Sequence, residues 1–185
     1  MRIGIDLGGT KIEGIILNND REIQHKIRLD TPVGDYGEVV ESIYRITEKL
    51  QGDCNMTVGI GTPGVLDAKT SLMKNSNSLC IDGRPFKRDV ESKLGYEIKV
   101  ENDANCFVLS EALLGAGKDA KCVFGIVLGT GQKPGKMSLL CWRRTGIPAW
   151  LIRRRCSAHG RRVPVDGEPK FGGMHLWSSL TASGV

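Results

Sequence analysis

No two of the six cysteines in this 185-residue chain stand in a C-x-x-C pair; they occupy positions 54, 80, 106, 122, 141 and 156. That spacing supports neither a zinc knuckle nor a thioredoxin-type couple, and reduced, mostly buried thiols are expected. No apolar run approaches the ~18 residues of a membrane span. Met1-Arg2-Ile3-Gly4-Ile5-Asp6 carries charge early in its apolar run and no small-residue cleavage site follows. A strand is therefore expected there and not a signal peptide, with a cytoplasmic location and no membrane partner. Acidic residues are missing between positions 132 and 165, where nine Lys/Arg stand. The net charge of +5 thus belongs to the tail: residues 1–131 hold 16 Lys/Arg against 19 Asp/Glu, and residues 132–185 hold 10 against 2.

What is present is an ordinary globular composition, 40% apolar and 25% charged, in a chain long enough to bury a core. Alternation over residues 2–7, a Gly8-Gly9 turn, apolar residues over 12–17, a polar turn at Asn18-Asn19-Asp20 and a third run over 22–29 predict an antiparallel meander closed by Thr31-Pro32. Val39, Val40, Ile43, Ile46 and Leu50 recur at helical spacing and predict a helix over 35–50. Strands are expected over 57–62, 97–100 and 121–128, a short hairpin or connector over 65–74, and helices over 85–94 and 103–114, the last ended by Gly115 and Gly117. A meander feeding alternating strands and helices predicts a mixed sheet covered by helices. Residues 1–131 hold no internal repeat.

Two Gly/Thr turns carry the first chemical signal. A phosphate needs backbone N–H groups aimed at it with no side chain in the way; Gly8 and Gly9 remove the Cβ atoms and allow positive φ, Thr10 adds a hydroxyl and Lys11 a cation. Asp6, at the strand end, is placed to hold a hydrated Mg²⁺ that bridges phosphates. Gly129-Thr130-Gly131 repeats the theme after the strand over 121–128. Each turn by itself also reads as a plain hairpin or loop. Glu101-Asn102-Asp103-Ala104-Asn105 lies between a strand and a helix; it reads either as an N-cap or as a carboxylate able to take the proton of a sugar hydroxyl attacking a γ-phosphate. Gly61-Thr62-Pro63-Gly64 and Asn75-Ser76-Asn77-Ser78 read as loop chemistry or as partners of a hydroxyl-rich ligand.

Together these residues resemble the ROK family of sugar kinases and repressors. The resemblance rests on IGIDLGGTKIEG at 3–14, VGIGTPG at 58–64, KNSNS at 74–78, ENDANCFVLSEA at 101–112 and FGIVLGTG at 124–131. It implies an α/β fold, an actin-like ATPase (ribonuclease H-like) lobe with a mixed five-stranded-type sheet, helices on its faces and a truncated second lobe. It also implies transfer of the γ-phosphate of ATP to a hexose with Mg²⁺. By resemblance Asp103 is the catalytic base, Gly64, Asn77, Asn102 and Asp103 hold the sugar, and Asp6 holds Mg²⁺ through phosphate or water. Gly8, Gly9, Thr10, Lys11, Gly129, Thr130 and Gly131 grip the nucleotide. With no helix-turn-helix ahead of Met1, an enzyme is expected and not a repressor. KNSNS, IDGRPF and ENDANC resemble the fructokinase type most, with N-acetylglucosamine kinase and glucokinase next. The family often dimerises, so the resemblance implies a homodimer as an option for an intact relative.

After Gly131 the resemblance stops. The family's Glu-x-Gly-His segment and cysteine-rich zinc loop are not matched, so no zinc site is expected; His159 lies in Ser-Ala-His-Gly, and all three Trp follow position 131. The basic tail over 132–185 reads as a nucleic-acid binder, as a divergent element, or as a frameshifted translation with the frame lost near Gly131 and regained near Val163. The frameshift is the preferred reading, with the functional lobe over 1–131, a poorly ordered tail, no nucleic-acid partner, and little activity from the chain as written.

Overall fold

The computed structural model describes residues 1–76, 80–128 and 137–143. The described residues fall into two compact units, Met1–Cys106 and a second that starts at Phe107.

The first unit is built on a five-stranded mixed sheet of order β3-β2-β1-β4-β7. Strands β1 (Arg2–Leu7), β2 (Lys11–Leu17) and β3 (Ile23–Asp30) form the expected antiparallel meander. Strands β4 (Thr57–Thr62) and β7 (Lys99–Asn102) then add parallel to β1, with Asp6 opposite Gly61, Gly61 opposite Glu101 and Thr62 opposite Asn102. Three parallel strands therefore end on one edge of the sheet, the edge where open α/β sheets bind ligands. β7 runs two residues later than the expected 97–100: the Ile98 N–H donates to the Glu91 side chain at 3.0 Å, and the ladder to β4 begins at Lys99. The expected connector is a two-stranded hairpin of β5 (Val65–Leu66) and β6 (Met73–Lys74).

Helix α1 (Tyr36–Gln51) starts where Asp35 accepts the Glu38 N–H at 3.1 Å and stops at Gly52, at φ 51°. Its apolar stripe of Val39, Val40, Ile43, Ile46 and Leu50 is buried. β2 receives it at Gly14, where a Cβ would collide with Ile46 and Leu50. Ile3, Ile5, Leu7, Ile12, Val58 and Ile60 complete this core. Helix α2 (Phe86–Leu94) joins it through Phe86 and Val90 and binds α1 at its rim: Tyr36 donates to Asp89 at 2.7 Å, and Lys93 pairs with Glu41.

Helix α3 (Asp103–Leu113) leads into the second unit, where β8 (Cys122–Leu128) pairs antiparallel with β9 (Met137–Arg143). Gly125 leaves room for the Val108 side chain and Gly117 for Val123. β9 lies beyond the expected lobe boundary at 131. No helix among the described residues is long and apolar enough to cross a membrane. The expectation of mostly buried thiols is corrected: among the cysteines whose side chains are described, Cys106 is buried, Cys80 intermediate, and Cys54 and Cys122 exposed. Cys54 sits in the turn after α1 and Cys122 opens β8, places where the chain meets solvent.

Candidate active site

The three parallel strand ends deliver the site. β1 ends at Asp6-Leu7 and passes into the turn Gly8-Gly9-Thr10, closed by the Gly8 N–H donating to the Lys11 carbonyl at 2.9 Å. Neither Gly8 nor Gly9 has a positive φ, so that part of the expectation is corrected. What Gly8 supplies is its missing Cβ, which would stand 2.9 Å from the Lys11 carbonyl oxygen. Gly9 has open space where a Cβ would point. Gly9 and Lys11 are both exposed, and among the described residues Lys11 makes a long 3.9 Å contact with Asp30.

A residue that sequence reading used only as a stop holds this turn in place. The buried Thr31 donates its N–H to the Thr10 carbonyl at 2.9 Å and its hydroxyl to the Gly8 carbonyl at 2.8 Å. Nothing in the local pattern at Thr31-Pro32 reveals this, because the partner of its hydroxyl lies 23 residues away in sequence.

β7 ends at Asn102, and Asp103 opens α3. The Asp103 Oδ1 accepts the Ala104 N–H at 2.7 Å and the Asn102 side-chain amide at 3.0 Å. That amide nitrogen also faces the Gly64 carbonyl at 2.9 Å and the Thr62 carbonyl at 3.3 Å. Three oxygen acceptors around one nitrogen fix the amide's orientation. The second oxygen of Asp103 takes no hydrogen bond from any described residue. Burial holds the Asp103 carboxyl above its ordinary range, and the Ala104 and Asn102 bonds pull it partly back.

Asp6 differs. Its Oδ1 is buried and has no hydrogen-bond partner among the described residues. Burial first, then the Asp103 carboxylate, then Glu13 push it up to about 8, against a weaker pull from Arg28. The register explains the last two: Asp6 stands opposite Glu13 on β2, and Glu13 opposite Arg28 on β3. Glu13 is paired with Lys26 at 2.7 Å and with Arg28 at 3.8 Å. A buried, orphaned carboxylate oxygen beside an open glycine turn is a donor set that suits a hydrated Mg²⁺ with its phosphates.

Gly64 follows β4, and its missing Cβ would stand 2.8 Å from the Lys74 carbonyl oxygen and 3.1 Å from the Ser76 backbone. The structure thus brings Asp6, the turn 8–11, Gly64, Asn102 and Asp103 to one edge of one sheet. Asn77, Gly129, Thr130 and Gly131 lie outside the described residues, as does the tail apart from β9. Cys106, one helical turn past Asp103, is pushed up to about 12 by burial and the nearby Glu101, Asp103 and Asp6 carboxylates, which makes it an inert thiol.

The model of the ROK family matches residues 2–135. The chain is 41% identical over 133 residues to the N-acetyl-D-glucosamine kinase of Pasteurella multocida (strain Pm70), across 71% of this chain and 44% of that protein. It is 43% identical, over the same shares, to the N-acetyl-D-glucosamine kinase of Vibrio cholerae serotype O1. Among solved structures, it superposes on a ROK family glucokinase from Streptomyces griseus in complex with glucose and AMPPNP, with TM-score 0.63 and 29% identity, over 76% of this chain and 43% of that one. It also superposes on the inorganic polyphosphate/ATP-glucomannokinase of Arthrobacter sp. strain KM, with TM-score 0.64 and 26% identity, over 76% of this chain and 57% of that one. The chain spans 44% of the length of the curated relatives it matches.

Proposed function

The chain belongs to the ROK family, and on that premise we propose that it forms the phosphate- and sugar-binding lobe of an ATP-dependent hexose kinase. The observation that carries this reading is the pair of carboxylates, Asp6 and Asp103, held at the ends of two parallel strands and both raised by burial. They divide the work by their hydrogen bonds. Asp103 has one oxygen fixed by Ala104 and Asn102 and one unengaged among the described residues, which suits a general base. It takes the proton of the sugar hydroxyl as that oxygen bonds to the γ-phosphorus and the bond to the ADP oxygen breaks. Its raised pKa makes it a stronger base while leaving it ionised above its titration.

Asp6 and the turn 8–11 would hold Mg²⁺ through phosphate or water, and the ion would neutralise phosphate charge. The Gly9 N–H and Lys11 orient the phosphates, and Gly129, Thr130 and Gly131 are proposed as the second grip. Asn102 offers its amide oxygen to a sugar hydroxyl, since its nitrogen is already engaged by protein acceptors. The Gly64 backbone and Asn77 are proposed to complete the sugar contacts.

The relatives near 40% identity carry the name N-acetyl-D-glucosamine kinase, which favours that sugar. Fructose is the second reading, supported by the runs KNSNS and IDGRPF. The functional lobe is placed at residues 1–131, with the basic tail outside it, and a cytoplasmic location suits both substrates.

Calorimetric binding and ADP release with N-acetylglucosamine, glucose, mannose and fructose test the reading on the purified chain, with Asp103→Ala as control. Sugar binding is the expected result, with any sugar-dependent ADP release low in this chain and abolished by the substitution. Turnover that persists in Asp103→Ala defeats the assigned base, and a chain that binds none of the four sugars defeats the whole proposal.

A further inference from the structure

We propose that Asp82 is a positioning residue for the sugar-facing groups, acting through the backbone of Ser76 and Gly64 and the side-chain amide of Asn102. The inference rests on the sugar-site reading above and adds to it a residue that touches neither sugar nor nucleotide.

Asp82 lies in the turn after the Asn75–Ser78 run and is itself well anchored. The Gly83 N–H donates to the Met73 carbonyl at 2.8 Å, and the Met73 N–H to the Arg84 carbonyl at 2.9 Å, which clamps the turn onto β6. Gly83 makes this possible at φ 70°, a conformation that favours glycine. From this anchor Asp82 Oδ1 accepts the N–H of Ser76 at 3.1 Å.

The segment it holds needs holding. Asn75 sits at φ 58°, in the left-handed region, which asparagine tolerates but which the chain does not choose without support. Ser76 is buried, and its backbone is the wall against which Gly64 packs: a Cβ on Gly64 would be 3.1 Å from both its N and its Cα. A Cβ there would also stand 2.8 Å from the Lys74 carbonyl oxygen, so glycine lets the two backbones lie close and a shift of Ser76 is felt at the Gly64 peptide. The Gly64 carbonyl then takes the Asn102 amide at 2.9 Å, and the same nitrogen holds Asp103 Oδ1 at 3.0 Å. A continuous line of contacts runs from Asp82 to the proposed base, through residues that the sequence scatters over 40 positions. The two hydrogens of the Asn102 amide are the last link, and they orient both its own oxygen and the Asp103 carboxylate.

Because the line ends on the sugar side and leaves the turn 8–11 untouched, its loss separates sugar from nucleotide. The test compares wild type, Asp82→Ala, Asp82→Asn and Asp82→Glu in the full chain. N-acetylglucosamine, glucose and fructose are titrated by calorimetry, alongside AMPPNP with Mg²⁺. Loss of one backbone-to-carboxylate bond sets the scale at about tenfold. Asp82→Ala is expected to weaken sugar binding by about that factor with AMPPNP affinity unchanged, and Asp82→Asn, which keeps an acceptor oxygen, to restore it. Asp82→Glu moves the carboxylate by a methylene and is expected to show the same split; it decides the question if Asp82→Ala does not fold. Sugar affinity unaltered in both Ala and Glu variants overturns the inference and leaves the proposed function standing. Parallel loss of sugar and AMPPNP binding, unrescued by Asn, also overturns it, since that marks a purely structural role. A wild-type chain that binds no sugar overturns both.

Discussion

Asp6 and Asp103 share a strand-end location and a buried setting, yet among the described residues only Asp103 is supplied with hydrogen-bond donors. For Asp6 the consequence is a pH-dependent stability of definite sign. Its folded-state pKa of about 8 stands above the ordinary 3.8, so the folded chain binds the proton more tightly than the unfolded one. The stability it contributes is full below the ordinary value and is lost as pH rises through about 8. Urea unfolding between pH 5 and 9 is expected to show stability falling with pH, and Asp6→Asn to flatten that slope while Mg-AMPPNP affinity drops. A slope unchanged by Asp6→Asn would show that other groups set it. For Asp103 the expected loss lies in turnover: Asp103→Asn lowers kcat by roughly 10²–10⁴-fold with little change in sugar affinity, read by ADP release. Asp6, Gly8, Gly9, Thr10, Lys11 and Asp103 are legible as candidates because their residue types announce their chemistry. Thr31 and Asp82 are not, because an isolated Thr or Asp in a turn is ordinary until its partner is known.

At the scale of elements, local rules carry the prediction well. α1 is written in its N-cap Asp35, its stripe of Val39, Val40, Ile43, Ile46 and Leu50, and its stop at Gly52. Asp35→Ala is expected to cost about 1 kcal/mol by thermal or urea denaturation, the usual value of a lost cap. Gly14 is a sharper test of how α1 meets the sheet. A Cβ there runs into Ile46 and Leu50, so Gly14→Ala is expected to destabilise by about 1–3 kcal/mol despite the better strand propensity of alanine. A neutral or stabilising result would mean that α1 can lift off β2 at no cost. β7 is the element whose bounds shifted, from 97–100 to 99–102, because Glu91 of α2 takes the Ile98 N–H and withdraws it from the ladder. That exchange is a contact between two elements, which no period in the sequence encodes.

For the whole molecule, binding and folding are linked. A sugar held by the folded lobe alone should stabilise it by about 2.7 kcal/mol at a concentration one hundred times its Kd, seen as a rise in the urea midpoint. The same sugar at the same concentration should leave an Asn102→Ala chain nearly unshifted, and an equal shift in both would remove Asn102 from the sugar contacts. The turns, the caps, the helical stripes, the meander and the family are legible in the residues alone, since these rest on residue type and short spacing, and so are the residues that carry carboxylate, amide and glycine chemistry. Three-dimensional packing sets β1, β4 and β7 side by side and parallel, so that Asp6, Gly64 and Asp103 reach one edge from positions almost one hundred residues apart. It alone decided that, among the described residues, Asp6 is left without a donor while Asp103 is given two, and that Thr31 and Asp82 brace the two loops. The physical reason is that desolvation and hydrogen bonding depend on what surrounds an atom in space, and here nearly all of those neighbours are distant in the chain.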